Sequence, residues 1–596
     1  MTPNKSTLRK DMEKKRANVP VRPLAALASV EKKKSKPKPM TVGRWVAILV
    51  VLAVLGWCAG WGVSVYLAPP EMHITSLDNL PTKARAHSIN TYGGIPAVGD
   101  DSAEKKDAAS ALADKAFQTG PYRSGELVFR AGSAEELAAL VARAQAAGGV
   151  LLGAIRQVNA VRFSFPNAAS MTQFLRGNAG DEPVPGADLN YTVSLPTTPA
   201  PTDPYAPGSL QPFGTMALAY MGVPQDNANW GQGVTVAMLD TGLSPGTTNI
   251  LKGGAVTQYD MTGASDTPAL GHGDMVASLL AGANGEQGIV PGSPIMSVRV
   301  LDSNDQGDVF GVSDGIYTAV DGGAKVLSLS LGSSQSSDIL QAAVDYAISQ
   351  GVVVVASAGN DGNGAIDYPA AYPGVVAVGS VDATGQRATF SDYGPQLDLM
   401  APGVGLTTVT TGGNMSFSGT SASAPLVAGA IASLLSSNPS MTGEQAVDML
   451  TQYADFAGPV TGNATNEFYG AGTVDLGRVL NRNDAIFTDA AVADMYLDVT
   501  TMPTTPTVPL QVSVQNRGNT ELGLVNVNIS YGGQAITQSL VGMAPNEVRA
   551  ITVDLPVAQL VQPNGLQVDA QVSTNNDDNL LNNGKARLIH LTPAGG

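Results

Sequence analysis

Three short segments of the chain carry an aspartate, a histidine and a serine in an order that could build a nucleophilic site. Asp240 ends the apolar run VAMLD, His272 opens the segment HGDMVASLLA, and Ser421 follows Gly-Thr at the start of another apolar segment. A serine hydroxyl becomes an effective nucleophile when an imidazole accepts its proton and a carboxylate fixes the imidazole tautomer. The three residue types therefore predict acyl-transfer chemistry.

A fourth segment, SAGNDG, places Asn360 directly after a Val-rich run. A side-chain amide there could donate to an oxyanion together with the N–H of Ser421, and losing such a donor typically costs about 2.7–4 kcal/mol. Each segment alone has a simpler explanation as a turn, a cap or a structural histidine. The chain has four histidines, however, and only His272 lies in the region that contains the other three residues. The combination indicates a serine hydrolase.

The region that must position these residues, 208–482, alternates apolar runs with amphipathic segments. Strands are predicted at 234–240, 295–301, 325–332, 352–359 and 375–382, and helices near His272 and at 337–350, 423–438 and 443–454. Val-rich strands between helices predict an α/β domain with a mostly parallel sheet covered on both faces. Such sheets hold their sites at the carboxyl ends of the strands.

On these motifs, residues 208–482 resemble the subtilisin-like serine proteases, or subtilases. The order Asp240, His272, Asn360, Ser421 matches the family, as do SLSLGS, YPAAYPGVVAVGSVDATGQRATFSDYG and LDLMAPG. The resemblance implies a three-layer subtilisin-like domain and a serine endopeptidase that cleaves protein or peptide substrates through an acyl-enzyme. It also implies that Ser330, Leu331 and Gly332 pair with the substrate backbone, and that Ala358 and Gly359 line the primary specificity pocket.

Four positions near the site depart from the family pattern without removing a catalytic group. Asp274 and Met275 replace the usual Thr and second His, and Ala422 and Leu426 replace the usual Met and His. We still expect activity. Asp274 is expected to bring an additional carboxylate close to the imidazole.

Two features stay open between a functional and a structural interpretation. Asp367 could lie at the base of the primary pocket, where acidic residues of the related proprotein convertases recognise Lys or Arg; a surface aspartate is the simpler interpretation. The loop 282–292 keeps Asn284 and Glu286 as calcium ligands but few others, so a plain turn is preferred. No cofactor is required by the proposed chemistry, and no other metal site is predicted.

An uncharged apolar stretch from Trp45 to Leu67 predicts a transmembrane helix, because its 23 residues span roughly 34 Å, enough to cross a bilayer. Residues 1–44 carry 13 Lys+Arg and 3 Asp+Glu, so this tail is expected to stay cytoplasmic. We therefore expect a single-pass membrane protein whose protease domain is periplasmic or extracellular. A lipoprotein signal at Cys58 is the weaker alternative, because Trp57 stands where a small residue is preferred.

The remainder of the chain is acidic. The whole chain has 34 basic and 50 acidic residues, so 21 basic and 47 acidic residues remain after the tail. This excess of negative charge argues against a nucleic-acid partner. Cys58 is the single cysteine, so no intrachain disulfide can form.

Two linkers and a small module precede the subtilisin-like region. Residues 68–120 are predicted to be a polar linker, 121–195 a βαββαβ module, and 196–207 a stiff Pro-rich linker. The module resembles the inhibitory propeptides of subtilases, which template folding, occupy the active site with their last strand and are cut off by the enzyme. A ferredoxin-like spacer is the alternative. Cleavage is expected within residues 195–209 and would separate the protease from its anchor unless the module stays bound.

Residues 486–592 contain alternating strands, QVSVQNRG, VNVNISYGG, VRAITVDL and LQVDAQVST, which predict a β-sandwich. The region resembles CARDB-type adhesion modules through VSVQNRGN and NNDDNLLNNGK, which implies a protein or glycan partner. Asp577 and Asp578 could hold a cation, although a solvated turn is preferred.

Three functional classes follow. The first is an active, membrane-anchored, self-processed endopeptidase. The second is a catalytically silent subtilase-like scaffold that acts through its β-sandwich as a binding protein. The third, a secreted adhesin with an unrelated α/β domain, requires four ordered motifs to coincide by chance.

Overall fold

The computed structural model describes residues 102–176, 186–199, 210–251, 255–264, 266–282, 288–458, 466–483, 486–497, 505–562 and 564–589. The predicted cytoplasmic tail, 1–44, and transmembrane helix, 45–67, lie outside these residues. Among the described helices, only Thr420–Ser437 has the length and hydropathy of a membrane span, and most of it is buried inside the protein.

The amino-terminal module begins earlier than the sequence indicated. Helix α1, Ser102–Ala116, lies within the segment predicted to be a linker, 68–120. Ala109, Ala113 and Ala116 are buried against the module. These small side chains share one helical face and pack closely, whereas the charged residues around them suggested a tether. This part of the linker prediction was wrong.

The rest of the module has the predicted βαββαβ order. Its elements are β1 Tyr122–Arg130, α2 Ala134–Ala146, β2 Val150–Ile155, β3 Ala160–Ser164, α3 Ala168–Arg176 and β4 Ala187–Ser194. The strands form an antiparallel sheet in the order β2-β3-β1-β4. One face packs against the helices around Phe129, Phe163 and Phe174.

The central domain contains a sheet of seven strands, all parallel. The strands are β5 Val236–Asp240, β6 Val256–Asp260, β7 Ile295–Arg299, β9 Val326–Leu329, β10 Val353–Ser357, β11 Val376–Val381 and β12 Leu399–Pro402. Their order is β12-β11-β10-β9-β5-β7-β6. All but β6 are fully buried, as expected for a parallel sheet with helices on both faces.

Helices cover both faces of this sheet. A short helix, α4 Ala217–Tyr220, precedes the sheet. Three helices pack on one face of the sheet: α5 His272–Ala281, α8 Thr420–Ser437 and α9 Gly443–Gln452. Two helices pack on the other face: α6 Val309–Asp321 and α7 Asp338–Ser349. Hairpin β13 Leu406–Thr410 and β14 Gly413–Phe417 precedes α8, and α10 Leu476–Asn481 follows α9. The predicted capping box of α9 is confirmed, with Gln445 N donating to Thr442 Oγ1 over 3.2 Å and Thr442 N to Gln445 Oε1 over 3.0 Å.

The module is joined to the central domain by shared strand pairing. Strand β8, Gln306–Asp308, pairs antiparallel with β4, so that Thr192 lies opposite Asp308. Asp308 caps α6 by accepting from Gly311 N over 2.9 Å, and it also accepts from Arg162 Nη1 over 3.0 Å. The free face of the module sheet therefore rests on α6 and α7.

The carboxy-terminal region forms two antiparallel sheets around one apolar core, as a β-sandwich does. One sheet contains β15 Ala490–Leu497, β16 Thr507–Asn516 and β19 Val548–Pro556; the other contains β17 Leu522–Tyr531, β18 Gln534–Met543, β20 Leu566–Thr574 and β21 Gly584–Ile589, with α11 Val557–Leu560 following β19. Three strands, β15, β18 and β21, were not predicted. Asp578 Oδ2 accepts from Thr488 N over 2.8 Å, which ties the closing turn to the first strand.

Arg478 joins the sandwich to the central domain. Its buried guanidinium donates to the carbonyls of Tyr453 over 2.8 Å and Ala454 over 2.7 Å, and to Asn546 Oδ1 in the sandwich. Asp455 lies 3.5 Å from this guanidinium and 2.7 Å from that of Arg517. A buried cation with this many partners is costly to remove, because each partner loses its hydrogen bond.

We therefore expect Arg478→Met to lower the unfolding free energy by about 3 kcal/mol, since the Tyr453 carbonyl and Asn546 Oδ1 lose this donor and Ala454 O keeps only that of Gln515. The melting temperature should fall by roughly 6 °C or more for domains of this size. Arg156→Met, at an exposed arginine, is the control and should change stability by less than about 0.5 kcal/mol. Equal melting curves for the two variants contradict the proposed role of Arg478.

Candidate active site

The carboxylate of Asp240 lies at the carboxyl end of the central strand β5 and is almost completely buried. Asp240 Oδ1 accepts from Thr241 N over 2.7 Å. His272 Nδ1 lies 2.9 Å from Asp240 Oδ1 and 3.0 Å from Oδ2. A carboxylate can only accept, so the imidazole carries its proton on Nδ1 and leaves Nε2 as the basic nitrogen.

His272 is fixed at the first position of α5 by a close approach of two backbone segments. Gly273 N donates to Thr241 Oγ1 over 3.0 Å. A Cβ on Gly273 would lie 2.2 Å from Gly242 O, so only glycine allows this contact. Phe417 packs edge-on against the imidazole, with ring centroids 5.1 Å apart. The ring of His272 is therefore held from two sides.

Ser421 lies in the first turn of α8 and lines the same cavity as His272. The cavity has a volume of about 400 Å³ and is also lined by Asn360 and Phe417. The Ser421 hydroxyl donates weakly to Ser330 O over 3.5 Å, while Ser330 Oγ donates to Ser421 O over 2.9 Å.

The amide of Asn360 is held in one orientation by Thr420. Asn360 Oδ1 accepts from Thr420 N over 2.9 Å and from Thr420 Oγ1 over 2.8 Å. Its Nδ2 therefore points into the cleft, where it donates to Thr197 O over 3.0 Å. Sequence reasoning did not include Thr420 among the site residues, although the Gly-Thr-Ser motif contains it.

The segment Ser330, Leu331 and Gly332 lies beside a strand of the chain's own module. Gly332 N donates to Ser194 O over 2.9 Å, and Ser194 N donates to Gly332 O over 3.0 Å. Beyond Ser194, Leu195 N donates to Asp305 O over 3.4 Å. The predicted linker therefore starts beside the cleft, where Pro196 and Thr198 line the cavity while Thr197 and Thr198 stay exposed to solvent.

Ala358 and Gly359 lie next to two carboxylates, of which Asp392 is buried and Asp367 half-buried. Ala358 O accepts from Asp367 N over 3.0 Å. An added Cβ on Gly359 would lie 2.1 Å from Asp392 Oδ2 and 3.2 Å from Asp367 Oδ2, and one on Gly332 would lie 2.8 Å from Asp367 Oδ2. Asp367 therefore lies between these two glycines and is half-buried. Burial, together with the charges of Asp392 and Asp361, raises the pKa of Asp367 to about 6.

Several known proteins are similar to the central domain of this chain. Residues 231–472 match the subtilase family. The subtilisin of Bacillus pumilus is 36% identical over 255 residues, which cover 41% of this chain and 90% of that protein. The chain belongs to the subtilase family. Subtilisin Savinase of Lederbergia lenta is 39% identical over 249 residues, covering 41% of this chain and 90% of the relative. The thermostable alkaline protease of Halalkalibacterium halodurans is 38% identical over 253 residues, which cover 42% of this chain and 68% of that protein.

A solved structure supports the fold over a longer part of the chain. Fervidolysin from Fervidobacterium pennivorans, a keratinolytic enzyme related to subtilisin, has a TM-score of 0.52 and 24% identity, and the match covers 76% of this chain and 71% of that one. Since the sequence relatives are proteases, this subtilase is a serine peptidase with a subtilisin-like α/β domain.

In this subtilase the residues that depart from the family pattern have partners inside the protein. Ala422 and Leu426 are fully buried, and Met275 packs against the same core. Asp274 is also fully buried, but its carboxylate binds Ser244, Thr247 and Gly271 N. The hydrogen bonds of this carboxylate are therefore made to the segment after β5 and to the residue before His272, and its nearness to the imidazole stays a prediction.

Metal binding at Asn284 and Glu286 falls outside the described residues. Within the described ranges, no group of three or more His, Cys, Asp or Glu side chains could hold a metal ion.

Proposed function

We propose that this subtilase is a serine endopeptidase in which Ser421 is the nucleophile, His272 the general base and Asp240 the residue that orients the base. The observation that supports this most directly is the Asp240–His272 hydrogen bond, which leaves Nε2 of the imidazole for the cavity that Ser421 lines. The order of these residues in the chain also matches the family pattern.

In the proposed reaction, His272 Nε2 accepts the hydroxyl proton as Ser421 Oγ attacks the peptide carbonyl. Negative charge develops on the carbonyl oxygen, where Asn360 Nδ2 and the N–H of Ser421 at the start of α8 can donate. The imidazolium, stabilised by Asp240, then protonates the leaving amine. Water attacks the acyl-enzyme by the same route and releases the second product.

We further propose that the chain is made as a precursor whose module, 121–195, blocks its own cleft. Ser194 pairs with Gly332 as an added strand would. Three residues later, the carbonyl of Thr197 accepts from Asn360 Nδ2, in the position of a scissile carbonyl. The bond after Thr197 is therefore the proposed site of self-cleavage, and intramolecular presentation gives it a high effective concentration.

The proposed precursor is anchored through residues 45–67, with the protease on the extracytoplasmic side. Cleavage after Thr197 leaves the module and the anchor on one fragment and the peptidase and β-sandwich on the other. The pairing of β4 with β8 and the Arg162–Asp308 ion pair could keep the fragments together. A protein or glycan partner of the sandwich is proposed only on its CARDB-type resemblance.

A fluorophosphonate probe should label the processed wild-type enzyme at Ser421, because the probe reacts only with an activated serine. Ser421→Ala should abolish labelling. Ser416→Ala, which removes another hydroxyl from the same cavity, should retain it. A processed wild-type protein that stays unlabelled contradicts the catalytic proposal and favours the silent scaffold.

Self-cleavage should give a mature chain that begins at Thr198, because the Thr197 carbonyl faces the Asn360 amide. Amino-terminal sequencing and blotting of wild type beside Ser421→Ala test this, and the variant should keep its full length. Equal sizes for the two proteins refute self-cleavage. A mature terminus at another residue refutes the assignment of the bond.

Asp367 should favour Lys or Arg before the scissile bond, because its carboxylate lies between Gly332 and Gly359. With a pKa of about 6, the carboxyl is ionised above that pH and neutral below it. The ratio of kcat/KM for an Arg substrate to that for a Leu substrate should therefore rise as the pH increases through about 6. The ratio cancels the titration of the catalytic groups. Asp367→Asn should flatten it, and an unchanged ratio in this variant rules out the role.

A further inference from the structure

We propose that Asp274 is a positioning residue, which holds the helix that carries His272 against the segment that follows Asp240. The inference rests on the proposed function, since it concerns the geometry of the proposed general base. Asp274 stands where the family pattern has a threonine, so its contacts are a feature of this chain.

The carboxylate of Asp274 connects two separate parts of the chain. Asp274 Oδ1 accepts from Ser244 N over 3.0 Å, from Ser244 Oγ over 3.1 Å and from Thr247 Oγ1. Its Oδ2 accepts from Gly271 N over 2.9 Å. The first oxygen therefore binds the segment after β5, and the second binds the residue that precedes His272.

The two connected segments are those that carry the proposed base and its carboxylate partner. Ser244 lies four residues after Asp240, and Asp274 lies two residues after His272. The Asp240–His272 hydrogen bond and the Gly273–Thr241 hydrogen bond join the same segments. The hydrogen bonds of Asp274 add a third connection, farther along the chain from Asp240 and His272 than the other two. Rotation of the start of α5 about the other two hydrogen bonds would break this third one.

Asparagine at this position has almost the same shape but cannot reproduce all four hydrogen bonds. If its single amide oxygen accepts from Gly271 N, its NH₂ group faces Ser244 N, which can only donate, although the Ser244 and Thr247 hydroxyls can turn to accept. The fully buried position gives Ser244 N little access to water. Asp274→Asn should thus weaken one of the two connections while leaving the side-chain volume almost unchanged.

The test compares Asp274→Asn, Thr247→Val and the double variant in the processed enzyme. Because small misplacements of catalytic groups cost rate, kcat should fall at least about tenfold in Asp274→Asn while KM changes less than about twofold. Thr247→Val should act in the same direction, and the two effects should be less than additive.

Asp382→Asn is a matched control. Asp382 is also buried and accepts four hydrogen bonds from neutral donors, Thr384 N, Thr384 Oγ1, Gln386 N and Gln211 N, at a turn that does not line the active-site cavity. This variant should lose stability as Asp274→Asn does, but keep the wild-type kcat.

A wild-type kcat in Asp274→Asn overturns the proposal, as does an equal loss of kcat in Asp382→Asn. If Asp274→Asn does not fold, Thr247→Val decides the question, because it keeps the buried charge. A wild-type enzyme that is inactive and not labelled by the probe refutes the proposed function itself. An active wild-type enzyme whose kcat is unchanged by Asp274→Asn refutes only the positioning role.

Discussion

The buried hydrogen bond between Asp240 and His272 is the interaction on which the site depends. A carboxylate withdrawn from water needs strong donors, and here the imidazole and the backbone N–H of Thr241 supply them. The low polarity of the surroundings makes the bond directional and strong. It can form only if the end of β5 and the start of α5 stay in register, which the seven-stranded parallel sheet and its covering helices ensure.

The same sheet edge brings the other polar groups together. Strand β10 ends just before Asn360, and the Gly-Thr turn into α8 supplies both Thr420, which orients that amide, and Ser421. Parallel strands direct all their carboxyl ends to one edge, and helices that follow them begin there with free N–H groups. The chemistry is thus assembled from distant segments because the topology directs them to one place.

The amino-terminal module and two carboxylates lie at the edge of the cavity that Ser421 lines. A cleft that binds an extended peptide offers unpaired backbone groups, and the strand that ends at Ser194 satisfies them. Beside it, Asp392 is buried and Asp367 is half-buried, and burial raises the pKa of both carboxyls. The interface with the β-sandwich is different, since Arg478 there is satisfied by partners within the chain.

Sequence alone determined which residues could do the chemistry, the α/β character of the domain that carries them and the strand-and-helix order of the module. These follow from local patterns, such as apolar runs, turn residues and the Gly-Thr-Ser motif. Helix α6 was missed because its glycines and β-branched residues weaken the helical pattern, and α1 because its buried residues are alanines among charges. Only the tertiary structure decided that Asp274 turns to Ser244 and Thr247, that Asp367 lies between two glycines, and that Thr197 reaches Asn360 across 163 residues. Such contacts depend on packing between distant segments, which no local pattern records.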